Sequence, residues 1–286
     1  MSNSKQDVRP KKIAAITTVR NDTIFLERWV QYYGDQFGDK NIYVFIDGHD
    51  QSVPESAKKA NIIFLPHIPL NRAAGDRRRA KIMSDFARGL FQLFDIVIAT
   101  DVDEFLAVDP NTNQSLTEYL STKNNYSSLS GLGLDVGQHL KLEQPIDLNL
   151  PFLSQRNFAH LFSRYTKPSI AFKPITWGSG MHRIKGKNFH IDPNLYLFHF
   201  GMIDYQLSTG KTSDSGQLNN NWAKHLSRRE QLFKIISEAK AIAGDDYFAQ
   251  ARHYQTWHRP LYALNKPGVI PGNPVIEIPE RFKKII

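Results

Sequence analysis

The stretch Ile96-Val97-Ile98-Ala99-Thr100-Asp101-Val102-Asp103-Glu104-Phe105-Leu106 decides the reading of this chain. Its first four residues are apolar and mostly β-branched, which fits a short buried strand. The acidic residues Asp101, Asp103 and Glu104 follow almost at once. They therefore stand where a strand leaves the core. In open α/β sheets, ligands bind beyond the carboxyl ends of the strands. Carboxylates fixed there suit a hard divalent cation held against a diphosphate. Alone, an Asp-x-Asp triplet is better read as a solvated turn with an Asp cap; the flanking elements change that balance.

Upstream, residues 12–19 read as a first strand. Asp22 is a good helix N-cap, Leu26, Trp29, Val30, Tyr33 and Phe37 recur at helical spacing, and Gly38 closes the helix. Residues 41–46 form a second strand ending at Asp47-Gly48. Ser52 and Pro54 open a short helix, and 62–65 form a third strand. Asp76 to Phe94 reads as a long helix with a stripe at Ile82, Phe86, Leu90 and Phe94. This β-α-β-α-β-α-β order predicts a Rossmann-like parallel sheet flanked by helices. The Gly-x-Gly-x-x-Gly turn of dinucleotide folds is replaced by Thr18-Val19-Arg20-Asn21-Asp22. Gly210-Lys211-Thr212 mimics the end of a phosphate-binding Walker loop, but Tyr205 stands where that loop needs glycine. The segment Ser208 to Gly216 reads as a polar loop.

Beyond the acidic cluster the pattern is mixed. Residues 115–122 read as a short helix, 129–136 as a glycine-rich stretch, and 170–174 and 196–200 as strands. Residues 222–243 read as a helix, followed by a proline-rich tail. The predicted organisation is a flexible start (1–11), a catalytic domain (12–205, with halves near 12–106 and 107–205) and a C-terminal helical extension with a tail (206–286).

Composition narrows the function classes. The chain has 286 residues, 41% of them hydrophobic, with 18 Phe, 11 Tyr and 4 Trp, enough for a large core. With no cysteine, disulfide frameworks and thiolate metal sites are excluded. No apolar run is long enough to span a bilayer, and the polar N-terminus lacks a signal core. A cytoplasmic location is expected, with a peripheral place at the inner membrane as an extension of that expectation. The net charge of +8 favours anionic partners. The densest basic cluster, Arg77-Arg78-Arg79 with Lys81, falls at the start of the predicted 76–94 helix, where cations oppose the macrodipole unless an anion is near. No nucleic-acid motif accompanies it, so no nucleic-acid partner is expected.

The combined pattern resembles a GT-A glycosyltransferase, specifically the bacterial family 2-like group with an Asp-x-Asp-Glu-Phe signature. The residues that carry the resemblance are Arg20-Asn21-Asp22, the helix segment Phe25 to Tyr33, Asp47, the signature Asp101 to Leu106, then Lys173-Pro174, His182 and His199. It covers roughly residues 12–205. Asp22 replaces the more usual Glu, and His199-Phe200-Gly201 lacks the second histidine of the family's His-x-His.

The resemblance implies a GT-A fold and transfer of a sugar from a nucleotide donor, UDP-linked by expectation, to a glycan or lipid-linked acceptor in surface polysaccharide or lipopolysaccharide synthesis, with inversion. It implies Mn²⁺ or Mg²⁺ on Asp103, with Asp101 on the ribose or metal and His199 as a late ligand. His182 is the alternative ligand, or a contact to acceptor or phosphate. Thr18, Arg20 and Asp47 would face the nucleoside; Arg78, Arg79 and Lys173 would face the diphosphate. Asp135, with Asp204 as second choice, would act as base on the acceptor hydroxyl. Competing readings are a nucleotidyltransferase, which should carry a glycine-rich phosphate loop, and a non-catalytic basic sugar- or lipid-binding module. The tail Arg281 to Ile286, with interleaved basic and apolar residues, is expected either to meet anionic membrane or to pack on its own domain.

Overall fold

The computed structural model describes residues 9–186, 189–208 and 230–286. The chain divides into two compact units. One comprises Met1–Val102, Thr112–Leu129 and Pro168–Asn188; the other comprises Asp103–Asn111, Ser130–Lys167 and Phe189–Ile286.

The first unit is built on four parallel strands in the order β3-β2-β1-β4: β1 (Ile13–Val19), β2 (Ile42–Asp47), β3 (Asn61–Leu65) and β4 (Ile96–Ala99). Continuous apolar runs form β1, β2 and β4 because parallel strands are buried on both faces. Next to β4 lies antiparallel β8 (Ile170–Ala171), which pairs with the first two residues of β6 (Ser128–Gly137). Helix α1 (Thr23–Phe37) starts where the Asp22 side chain accepts from Phe25 N, and stops at Gly38, whose φ of 89° suits glycine. Helix α2 (Arg72–Leu90) lays Ala80, Met83, Ala87 and Leu90 on Ala14, Ile16, Phe45 and Val97. The short helix α3 (Leu116–Ser121) carries a capping box between Ser115 and Glu118.

Two boundaries differ from the sequence reading. Helix α2 begins at Arg72, because the Asn71 side chain accepts from Ala74 N. Arg77 to Arg79 thus sit in its second turn, where the dipole acts on them more weakly. The helix read over 222–243 is described only from 230 and is helical to 238; Ile242–Ala243 is a strand, β10. The Walker-like Gly210-Lys211-Thr212 lies outside the described residues.

The second unit holds a sheet in the order β10-β11-β7-β6-β9-β5, with β5 (Glu104–Val108), β7 (Phe158–His160), β9 (Ile191–Met202) and β11 (Val275–Glu277). Strand β5 is the continuation of the acidic signature. The described C-terminal residues, including helix α4 (Gly244–Trp257), belong to this unit and supply two of its strands, so they are integral to it. The tail packs on its own unit, the second of the two expectations for it. The Arg281 guanidinium is clamped by Asp109 and Asp245, Lys283 Nζ donates to Arg156 O and Asn157 Oδ1, and Phe282 and Ile286 are buried.

The glycines of β6 are there for close approach. A Cβ on Gly131 would come within 2.7 Å of the Tyr196 carbonyl carbon, and one on Gly133 would run into the Tyr165–Thr166 peptide. Backbone cannot yield as a side-chain tip does, so Gly133→Ala should destabilise the protein by about 3 kcal/mol. Urea unfolding checks this; a midpoint equal to wild type would contradict the packing.

Candidate functional site

The carboxyl ends of β1, β2 and β3 lie along one edge of the parallel sheet, and a cleft of about 220 Å³ opens there. Thr18, Val19 and Arg20 come from the end of β1, Asp47 from β2 and Leu65 from β3; Arg72, Gly75, Asp76, Arg78, Arg79 and Ile82 come from α2. Positions 72, 75, 76 and 79 follow the i, i+3, i+4, i+7 spacing of one helix face. Four arginines meet two aspartates, with Val19, Leu65, Ile68, Leu70 and Ile82 as apolar wall. Such a lining suits an anion joined to a flat or apolar group.

The arginines are held in place. Arg20 donates to Asp47 O and, through both terminal nitrogens, to Asp50 at 3.1 and 2.9 Å. This clamp, through its side-chain hydrogen bonds, lowers the Asp50 carboxyl to about 2. Arg79 lies 2.5 Å from Asp76 Oδ1 and 3.9 Å from Asp101 Oδ1. His67 Nδ1 is 3.2 Å from Asp47 Oδ2.

A second cluster lies within the second unit. Strand register aligns Glu104 of β5, His199 of β9, Asp135 of β6 and His160 of β7 in one row of alternating acids and bases. His199 Nδ1 is 2.6 Å from Asp135 Oδ1, and Nε2 is 3.3 Å from Asp103 Oδ2. The Tyr165 ring stacks on the imidazole at 3.8 Å between centroids. Burial alone would lower the His199 pKa; the carboxylates of Asp103 and Asp135 override it and raise the value to about 10. Burial holds His160 below its ordinary value against the pull of Asp135. The Glu104 side chain is wholly buried and ion-paired to Lys167 at 2.5 Å. Gly201 borders the cluster: a Cβ there would lie 2.9 Å from His199 Nε2 and 3.0 Å from Asp103 Oδ2.

Five residues expected from sequence, Thr18, Arg20, Asp47, Arg78 and Arg79, line the cleft together. Asp103 and His199 form a pair, while Asp101 is placed beside Arg79. Asp135 is buried, with its Oδ1 2.6 Å from His199 Nδ1. Asp204 is also buried: it accepts from Ile146 N and Leu207 N and pairs with Arg156, a structural role. Lys173 is exposed past β8, and His182 caps the turn Ser179–Met181; neither lines the cleft. Sequence reading missed Arg72, Asp76, His67 and Tyr165. The first two were detectable from helical spacing back from Arg79, once Asn71 is taken as the cap.

Among the described residues, no group of three or more His, Cys, Asp or Glu side chains is arranged to hold a metal ion. The chemistry of the pair nevertheless fits a partial donor set: an imidazole nitrogen faces a carboxylate oxygen, and the other ring nitrogen is held by Asp135, as in carboxylate–histidine–metal arrangements.

No protein family and no curated protein matches the chain. Among solved structures, the chain is similar to a glycosyltransferase involved in glycosylation of the major capsid of PBCV-1, with 17% identity, TM-score 0.25, over 42% of this chain and 50% of that one. It thus spans half the length of that protein. The mannosyltransferase PcManGT from Pyrobaculum calidifontis, in complex with GDP-Man and Mn²⁺, overlays with 12% identity and TM-score 0.38, over 84% of this chain and 79% of that one. A mannose-1-phosphate geranyltransferase from Thermus thermophilus overlays with 10% identity and TM-score 0.27, over 95% of this chain and 76% of that one.

Two outcomes follow from the second cluster. With no metal bound, the carboxylates of Asp103 and Asp135 favour protonated His199, so its contribution to stability is complete below the unfolded value of about 6.5 and is lost as pH rises through about 10. Denaturation in chelator should show stability falling across that window in wild type and a flatter profile in His199→Gln. Glu104→Gln removes the carboxylate that faces the buried Lys167 charge and should cost about 3–5 kcal/mol, read by urea unfolding; a cost under about 1 kcal/mol would mean that the pair is solvated.

Proposed function

We propose that the protein is a metal-dependent glycosyltransferase that takes a nucleotide-sugar donor, UDP-linked by first expectation, and transfers the sugar with inversion to a glycan or lipid-linked acceptor of bacterial surface polysaccharide. The observation that carries this reading is the arginine-lined cleft at the carboxyl ends of the parallel strands. Its size and mixed lining match a nucleoside with a diphosphate better than a bare phosphate. The absence of a glycine-rich loop after β1 weighs against nucleotidyl transfer.

Thr18 and Asp47 would hold the nucleoside, while Arg20, Arg78 and Arg79 would face the phosphates. When the anomeric bond breaks, negative charge grows on the departing phosphate. Cations already fixed by Asp50, Asp76 and Asp101 stabilise that charge without reorganising. In the second unit, His199 and Asp103 are the residues that would hold Mn²⁺ or Mg²⁺. When bound, the ion supplies positive charge against a leaving phosphate. Asp135 accepts from His199 Nδ1 and keeps Nε2 pointed at the Asp103 side.

The test is a panel of sugar nucleotides screened for thermal stabilisation with and without Mn²⁺, followed by product analysis. The expected result is stabilisation by one donor class and release of nucleoside diphosphate. Arg79→Ala should lower kcat/KM about hundredfold while the protein stays folded. Release of sugar-1-phosphate from the donor would establish nucleotidyl transfer instead, and no stabilisation by any donor would leave a binding module.

A further inference from the structure

The segment after α4 closes into a loop with an apolar tip. Gly268 N donates to Gln255 O at 2.8 Å, which joins the two ends. Inside, Ala263 N donates to Pro260 O and Arg259 Nη1 to Leu264 O, so the loop has its own hydrogen bonds. Gly268 has to be glycine for this closure, since a Cβ would meet His258 O at 2.7 Å. At the tip, Leu261 and Tyr262 are 91% and 93% exposed, and Trp257 and Val269 are 71% and 70% exposed. These are the four most exposed of the large apolar side chains described. An ordered loop that holds two adjacent side chains almost wholly in water needs a reason, because their burial would be favourable.

We propose that this loop is a membrane-docking element that inserts Leu261 and Tyr262 into the interface of an anionic lipid bilayer. Charge selects that partner. From Tyr247 to Ile276 the chain has no Asp or Glu, while Arg259 and Lys266 flank the tip. The other leucine-rich exposed stretch, around Leu142 and Leu150, carries Asp147 and lacks this complementarity. Exposure agrees, since Leu261 and Tyr262 stand almost wholly in water, where a soft planar surface can take them up. Leu fits the acyl boundary, and Tyr and Trp fit the headgroup level. The proposal is independent of what the cleft binds.

The test is flotation of the full chain with vesicles of phosphatidylglycerol and phosphatidylcholine in equal parts, at low salt. Wild type should float, and Leu261→Ser with Tyr262→Ser should lower partitioning at least about tenfold at an unchanged melting temperature. Trp257 emission should shift to the blue on vesicle addition, and Trp257→Phe should abolish the shift. Soluble glycerol phosphate in excess should not release the protein; release would assign the interaction to a free phosphate and overturn the proposal. No flotation of wild type, or equal flotation of the double variant, also overturns it. So does a concentration-dependent dimer that the double variant abolishes without any vesicle binding, which would assign the tip to a second copy of the chain.

Discussion

The edge of the first unit's sheet depends on how Thr100 is buried. Its hydroxyl oxygen accepts from Trp29 Nε1 at 2.9 Å, its carbonyl accepts from Thr17 Oγ1 at 2.9 Å, and its N–H donates to Ile16 O at 3.3 Å. A buried hydroxyl or amide without a partner costs several kcal/mol, so these contacts make one end point for β4 much better than its neighbours. Helix α1 and strand β1 both take part, which ties the helix to the point where the acidic segment leaves. The next residue, Asp101, then emerges next to Arg79, and the strand ends that line the cleft stay in register with it.

The same logic governs the charges. A cleft lined with arginines would repel itself if the guanidiniums were loose. Here Arg20 is clamped by Asp50, and Arg79 is set between Asp76 and Asp101. Each carboxylate orients a neighbouring cation, so the positive charges of the cleft are held apart and fixed in direction. The row Glu104–His199–Asp135–His160 does the equivalent in the second unit by strand register, with acids and bases alternating so that like charges are not adjacent.

The first four strands and α1 were legible because local signals agreed: continuous apolar runs, Asp22 at one end of the helix and Gly38 at the other. Helix α2 was cut short at its start because Arg72-Ala73-Ala74-Gly75 shows no apolar stripe; Arg72 and Gly75 face the cleft instead of the core. Strand β5 was hidden by the acidic signature that opens it, since Glu104 looks like a surface residue until Lys167 is placed beside it. The His199–Asp135 contact joins positions 64 apart, and only the β6–β9 register brings them together. Asp135 and Asp204 look alike as candidate bases in sequence, yet each carboxylate is committed to a different buried partner.

The departure at Gly201 has a steric meaning. Residues two apart on a strand face the same side, so position 201 shares its face with His199. The space that a side chain would need there is occupied by the imidazole and by Asp103 Oδ2. With glycine at position 201, His199 Nε2 and the Asp103 carboxylate face each other directly at 3.3 Å. A cation taken at that pair would meet one nitrogen and one carboxylate, a set that leaves most of a Mg²⁺ or Mn²⁺ shell to oxygen atoms supplied by substrate and water.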